Sequence, residues 1–165
     1  MTSAIKAIRS RNLHTVVATL TRPANTTAYT ALDTVGAGFS WLVPVRNAGI
    51  IGARITSSGT VATSLDGELL LFHTAISTNV DNAALVMTDA EALTRIGSID
   101  FPVANWRLWS ANSGCDGRML GGRLDVPVQT RGGNDALVYG QLIARNAYVP
   151  INAEVITIEL VVELY

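Results

Sequence analysis

Only one cysteine, Cys115, occurs among the 165 residues, so no disulfide can form within the chain and nothing points to an oxidising compartment. Charge is scarce too. Asp, Glu, Lys and Arg make up 15% of the sequence while 48% is hydrophobic, against roughly 25% charged in an ordinary soluble domain. A folded chain of this kind has a largely neutral exterior, which suits burial against partners. No apolar run approaches the ~20 residues of a membrane-spanning helix. The first residues also lack the apolar stretch of a signal peptide, because Lys6 and Arg9 interrupt Ile5 and Ile8. The expectation is synthesis in the cytoplasm and no membrane partner.

Catalytic groupings are missing as well. His14 and His73 stand far apart on separate predicted strands with no neighbouring His or Cys, so neither belongs to a recognisable metal-ligand spacing. Asp66 and Glu68 are alternate residues, a spacing that a glycosidase pair could use, yet Asp66-Gly67 reads better as a turn into the apolar run that follows. There is no Gly-x-Ser-x-Gly elbow and no phosphate-binding glycine loop. Neither an enzymatic activity nor a cofactor or metal is expected. Trp106 and Trp109 flank Arg107 but lie three residues apart on an extended segment. They therefore point to opposite faces and fit core or subunit-interface packing better than a shared sugar platform.

Net charge is −1, which argues against direct nucleic-acid binding, since that needs a basic stripe to displace counterions. The distribution is uneven. Lys6, Arg9, Arg11 and Arg22 make the first 32 residues +4, and the remainder is −5. A basic amino-terminal arm over residues 1–12, ahead of one domain over 13–165, is the organisation this implies.

What the chain has in abundance is period-two patterning, the mark of half-buried strands. At the carboxyl end Ile156, Ile158, Leu160, Val162 and Leu164 share one face. Val16, Ala18 and Leu20 alternate with Thr15, Thr19 and Thr21, leaving Val17 as an apolar residue on the polar side. Phe39, Trp41, Val43 and Val45 form another stripe, with Pro44 implying an edge or a bulge. Ile50–Thr56 and Leu137–Arg145 (LVYGQLIAR) follow, with Ile99–Phe101, Trp106–Trp109 and Leu124–Val128 weaker. Turn signals separate them: Arg22-Pro23-Ala24-Asn25, Gly36-Ala37-Gly38, Ser57-Ser58-Gly59, Asn112-Ser113-Gly114, Gly121-Gly122 and Arg131-Gly132-Gly133-Asn134. Many short strands with glycine-rich turns define an all-β, jelly-roll-like antiparallel β-sandwich.

Leu69–Gly97 (LLLFHTAISTNVDNAALVMTDAEALTRIG) is the densest stretch. Leu69 to Phe72 form a continuous apolar run, as in a strand buried on both faces. Asp81-Asn82 then favour a turn. Thr88-x-x-Glu91 is a capping box and Asp89 complements the helix dipole, so one short helix is expected over about residues 89–96, ended by Gly97.

In order along the chain, Tyr29–Gly36 (YTALDTVG), Gly49-Ile50-Ile51, Leu69–Phe72, Val80–Gly97 with its Asp-Asn and Thr-Asp-Ala-Glu steps, Leu137–Arg145 and the final alternating strand resemble the capsid decoration or cement proteins of tailed double-stranded DNA bacteriophages. One departure is Leu32, where the family pattern tends to have glycine before Asp33. The resemblance implies a structural virion protein on the outer capsid surface that straddles and stabilises the major capsid protein shell and self-associates as a homo-dimer or homo-trimer. Candidate capsid or subunit contacts are Ile5, Lys6, Ile8, Arg9 and Arg11 of the arm, with Trp106 and Trp109. The alternative is a carbohydrate- or receptor-binding β-sandwich module on a virion surface.

Overall fold

The computed structural model describes residues 12–44, 48–60, 64–77, 79–119, 121–127 and 135–164. Strands dominate: β1 (Asn12–Thr21), β2 (Thr34–Pro44), β3 (Ala48–Ser57), β4 (Gly67–Phe72), β5 (Arg95–Phe101), β6 (Trp106–Trp109), β7 (Asn112–Asp116), β8 (Arg118–Met119), β9 (Leu124–Val126), β10 (Asp135–Ala144) and β11 (Val155–Leu164), with an α-helical turn, α1 (Asp89–Ala92), and a 3₁₀ turn over Val103–Asn105. One sheet runs β1-β11-β3-β7-β6, with β9 on the far half of β3; the other runs β2-β10-β4-β5-β8. Every strand pair is antiparallel. Setting aside short β6, β8 and β9, the sheets order the strands first-eighth-third-sixth and second-seventh-fourth-fifth. That is the double Greek-key wind of a jelly roll.

The period-two rows meet between the sheets. Ile156, Ile158, Leu160 and Val162 of β11 are at most 1% exposed, and they pack with Ile50 and Ile55 of β3, Val35, Phe39, Trp41 and Val43 of β2, and Val138 and Leu142 of β10. Trp41 ties the layers directly by donating its indole N–H to the Ile158 carbonyl in the opposite sheet (3.1 Å). Its ring lies over Gly140, where a Cβ would come within 2.7 Å of Trp41 Cζ3, so this position of β10 has room for glycine alone.

β4 is buried along its whole length. Leu69 and Leu71 enter the main core, whereas Leu70 and Phe72 join Ile143 in a second cluster on the outer side of the sheet, flanked by Tyr139 of β10 and covered by Ile76, Leu85 and Met87. The cover is the β4–β5 connection. It is pinned to β2 by Asn82 N–H to the Thr34 carbonyl (2.9 Å), Thr34 N–H to the Ala83 carbonyl (2.8 Å) and the Thr34 hydroxyl to the Val80 carbonyl (2.6 Å).

Several expectations need correcting. The capping box forms as expected, with Thr88 Oγ1 accepting from Glu91 N–H and the Glu91 carboxylate accepting from Thr88 N–H, but the helix stops after one turn. Arg95 and Gly97 belong to β5, paired with Phe72 and Leu71, because ladder bonds to a buried strand outweigh two further residues of isolated helix. Gly36-Ala37-Gly38 is inside β2 rather than a turn; both glycines take positive φ (78° and 105°) and bend the strand at an irregularity in its pairing with β10. Asn112-Ser113-Gly114 is likewise strand β7, with Gly114 leaving space for the Trp109 ring. Leu32 takes the left-handed conformation (φ 74°) that glycine would adopt without strain, held by its N–H to the Ala144 carbonyl (2.7 Å).

Candidate functional site

One set of deeply placed polar side chains is occupied internally. Arg22, one of the four cations of the first 32 residues, follows β1 and is buried. It pairs with Asp81 (3.1 Å), donates to the Tyr29 hydroxyl and lies 4.8 Å from the Tyr29 ring centre. Tyr29 in turn donates to Asp81 Oδ1 (2.5 Å), which also accepts Gly36 N–H (2.8 Å). Tyr148 stacks on Tyr29 with centroids 5.7 Å apart and donates to Glu154, whose other carboxylate oxygen accepts from Ser57. Burial raises both phenol pKa values, helped by the Asp81 and Glu154 carboxylates, so these tyrosines stay protonated donors. The group is a lock. It joins the ends of β1, β3 and β11 to the Asp81-Asn82 turn of the cover, and leaves no side chain aimed at a substrate.

A second polar region opens at the start of β4. Asp66, Gly67, Asp100, Pro102, Arg118 and Arg145 line a cleft of about 410 Å³. Beside it buried Glu68, a cross-strand neighbour of Asp100, is engaged by Arg145 at 2.6 Å. Glu68 is thus neutralised by an ion pair. Among the described residues no three His, Cys, Asp or Glu side chains converge as metal ligands. Cys115 is buried in β7, and burial lifts its pKa to about 11, far from a reactive thiolate.

The outer face of the first sheet has another character. Leu13, Thr15, Val17, Thr19 and Thr21 of β1 stand opposite Glu163, Val161, Glu159, Thr157 and Val155 of β11. Leu13 and Val17 are 52% and 55% exposed. Thr19 and Thr157 share a hydroxyl hydrogen bond (3.0 Å). The charges on this face are few and each acid has an arginine nearby, Arg54 meeting Asp116 (3.0 Å) and Glu159 (4.0 Å), and Arg123 meeting Asp125 (2.7 Å) and Glu163 (3.8 Å), so that four carboxylates share two guanidinium groups. What it offers a partner is a Val/Thr surface with sparse, paired charge.

The candidate contact residues fall in three places. Ile5, Lys6, Ile8, Arg9 and Arg11 lie outside the described residues. Trp106 is buried in the core of its own chain and donates its indole N–H to the Leu65 carbonyl (2.8 Å). Trp109, on the opposite side of β6, is half exposed beside exposed Leu108. Opposite facing of the two tryptophans follows from strand alternation. The grouping of Arg22, Tyr29, Tyr148 and Glu154 with Asp81 and Ser57 carried no sequence signal, because Asp81 and Ser57 are 52 to 97 residues from the partners they meet through the jelly-roll wind.

No family model matches the chain, and no curated protein matches it. Among solved structures it is similar to a chain of the acidic stable capsid structure of Helicobacter pylori bacteriophage KHP30, with 10% identity over 94% of each chain and a TM-score of 0.32. It is also similar to a chain of Desmodium yellow mottle tymovirus, with 13% identity over 94% of this chain and 81% of that one and a TM-score of 0.28. A chain of turnip yellow mosaic virus aligns over 94% of each chain at 10% identity and a TM-score of 0.28. The fold assignment itself rests on the strand order and registers described above.

Proposed function

We propose that this chain is a structural virion protein of the decoration or cement class, one that binds the outer surface of a phage head and stabilises the shell of major capsid protein. The observation that carries the reading is the sparsely charged, Val/Thr-rich outer face of the first sheet on a sandwich whose buried polar groups are occupied internally. Such a surface costs little to desolvate and suits a repeated protein interface better than a soluble ligand. The ordered motifs that resemble phage cement proteins support the same reading. The work is adhesion: a protein that binds only the assembled shell stabilises it by mass action. In this reading residues 1–12 form a basic arm that reaches a capsid subunit or a sister copy, ahead of the sandwich over 13–165.

Binding to purified heads lacking the protein, quantified by sedimentation, tests the reading. Saturable binding with raised resistance of the heads to heat is expected, and deletion of residues 2–11 lowers occupancy. Undiminished occupancy after that deletion sinks the arm; absence of any binding to heads sinks the cement assignment. A second reading, a carbohydrate- or receptor-binding module on a virion surface, draws on the cleft between Asp66, Asp100, Arg118 and Arg145. Micromolar binding on a glycan array that is lost in Asp100→Ala, with none to heads, would put it first.

A further inference from the structure

An exposed strand edge presents unpaired N–H and C=O groups to any other strand, and proteins defend such edges with shortness, charge, proline or bulges. Three of the four terminal strands here are defended. β2 carries Pro44, two left-handed glycines and an irregular register against β10. β6 is four residues long with Arg107 within it, and β8 is two residues long. β1 has none of these. It runs for ten residues from Asn12 to Thr21 without proline, glycine or charge, and pairs with β11 in one unbroken register. Among the described residues no strand lies on its other side.

We infer that β1 is an assembly edge that pairs antiparallel with β1 of a second copy of this chain, across a two-fold axis at Val17. The strand is complementary to itself. With Val17 opposite its own copy, Thr15 faces Thr19 and Leu13 faces Thr21 on the outer side, while Val16 faces Ala18 and His14 faces Leu20 on the inner side. These are mostly β-branched and apolar pairs of the kind that stabilise antiparallel sheets, and no like charges oppose. Val16, Ala18 and Leu20 are only half buried at this flank of the core, and an added strand completes their burial. An uncharged edge is matched by an uncharged edge, and its own copy is always present at equal concentration. Two-fold pairing is isologous, so it consumes both edges and closes at two chains; a head-to-tail arrangement would leave an edge open and grow. The outer Val/Thr face then continues across the axis as one double-width surface.

The pairing is independent of head binding and is measured on the full chain alone. Light scattering at micromolar concentration is expected to give twice the 17.5 kDa chain mass. Val17→Glu, which sets two carboxylates against each other at the axis where Glu159 of each chain already stands beside position 17, returns the mass to one chain with an unchanged circular dichroism spectrum. Val17→Thr keeps the β-branched pair and stays at two chains. Under mild oxidation Val17→Cys cross-links into covalent dimers and Leu13→Cys does not. A single-chain mass for the unaltered protein overturns the inference, as does a three-chain mass, a two-chain mass that survives Val17→Glu, or cross-linking that favours Leu13→Cys.

Discussion

The two outer faces of the sandwich are built from similar strands and treated in opposite ways. The second sheet turns Leu70, Phe72 and Ile143 outward, residues too apolar to leave in water, and residues 73–94 fold back over them. The first sheet turns out threonine, valine and locally paired charges, and the described chain places nothing over them. A face that the chain covers itself is committed to the fold. A face with few, paired charges is still wettable, so it costs little in the free protein and little again when a partner dries it, which is the property an assembly surface needs.

The comparison breaks hardest at Phe72. Phe72→Ala should destabilise the fold by about 3–5 kcal/mol, as for other fully buried aromatic truncations, and denaturant unfolding reads it; a loss like that of a surface substitution would mean the cover packs nothing. Asp81→Ala comes next. It strands the buried Arg22 guanidinium and removes the acceptor for Tyr29 and Gly36, for a loss of about 3–5 kcal/mol. Limited proteolysis should then cut within residues 73–94 before the sheets.

A smaller and pH-dependent effect lies at Glu91. Its carboxylate accepts N–H bonds from Thr88 (2.7 Å) and from Ser77, and these hold its pKa down at about 2 against an ordinary 4.5. Because the folded value is lowered, the contribution to the cover is full above pH 4.5 and fades as pH falls towards 2. Amide exchange in residues 76–94 should therefore be faster in Glu91→Gln than in the unaltered protein at pH 6, and the difference should close in acid. Smallest of all, Val17→Thr on the bare face should shift stability by under about 0.5 kcal/mol, the range of surface changes. A larger loss in dilute monomer would show that the face is not bare.

Alternation made the strands legible wherever one side faces the core and the other water. β11 and β1 were visible for that reason, and Val17 stood out as the apolar residue on the wrong side; β10, buried on both sides over much of its length, showed instead as a run of large apolar residues. Where both sides are buried or both exposed, alternation vanishes: β7 hides as Asn112-Ser113-Gly114, a turn by composition, because its glycine serves a neighbouring indole. The helix length was overread because a capping box marks a beginning and says nothing of how far hydrogen bonding continues. Phe72 showed burial on both faces, but what lies over its outer face is decided by a loop of mixed composition. Arg22 was legible as the start of a turn and as one of four cations near the amino terminus, but not as the internal partner of a turn 59 residues away. The outer surface of the first sheet was legible only as low charge, since which residues share it depends on which strands become neighbours.

The position of β10 and β11 governs how the molecule comes into being. β11 lies between β1 and β3, and β10 between β2 and β4, so the central member of each sheet is made after the strands it joins. While the chain emerges, β1 and β3 have no strand between them, and β2 and β4 are in the same condition. Sheets of such long contact order form late and slowly. A ribosome that stalls before residue 135 therefore holds two half-sheets with raw inner edges, and damage to the last thirty described residues costs both layers at once.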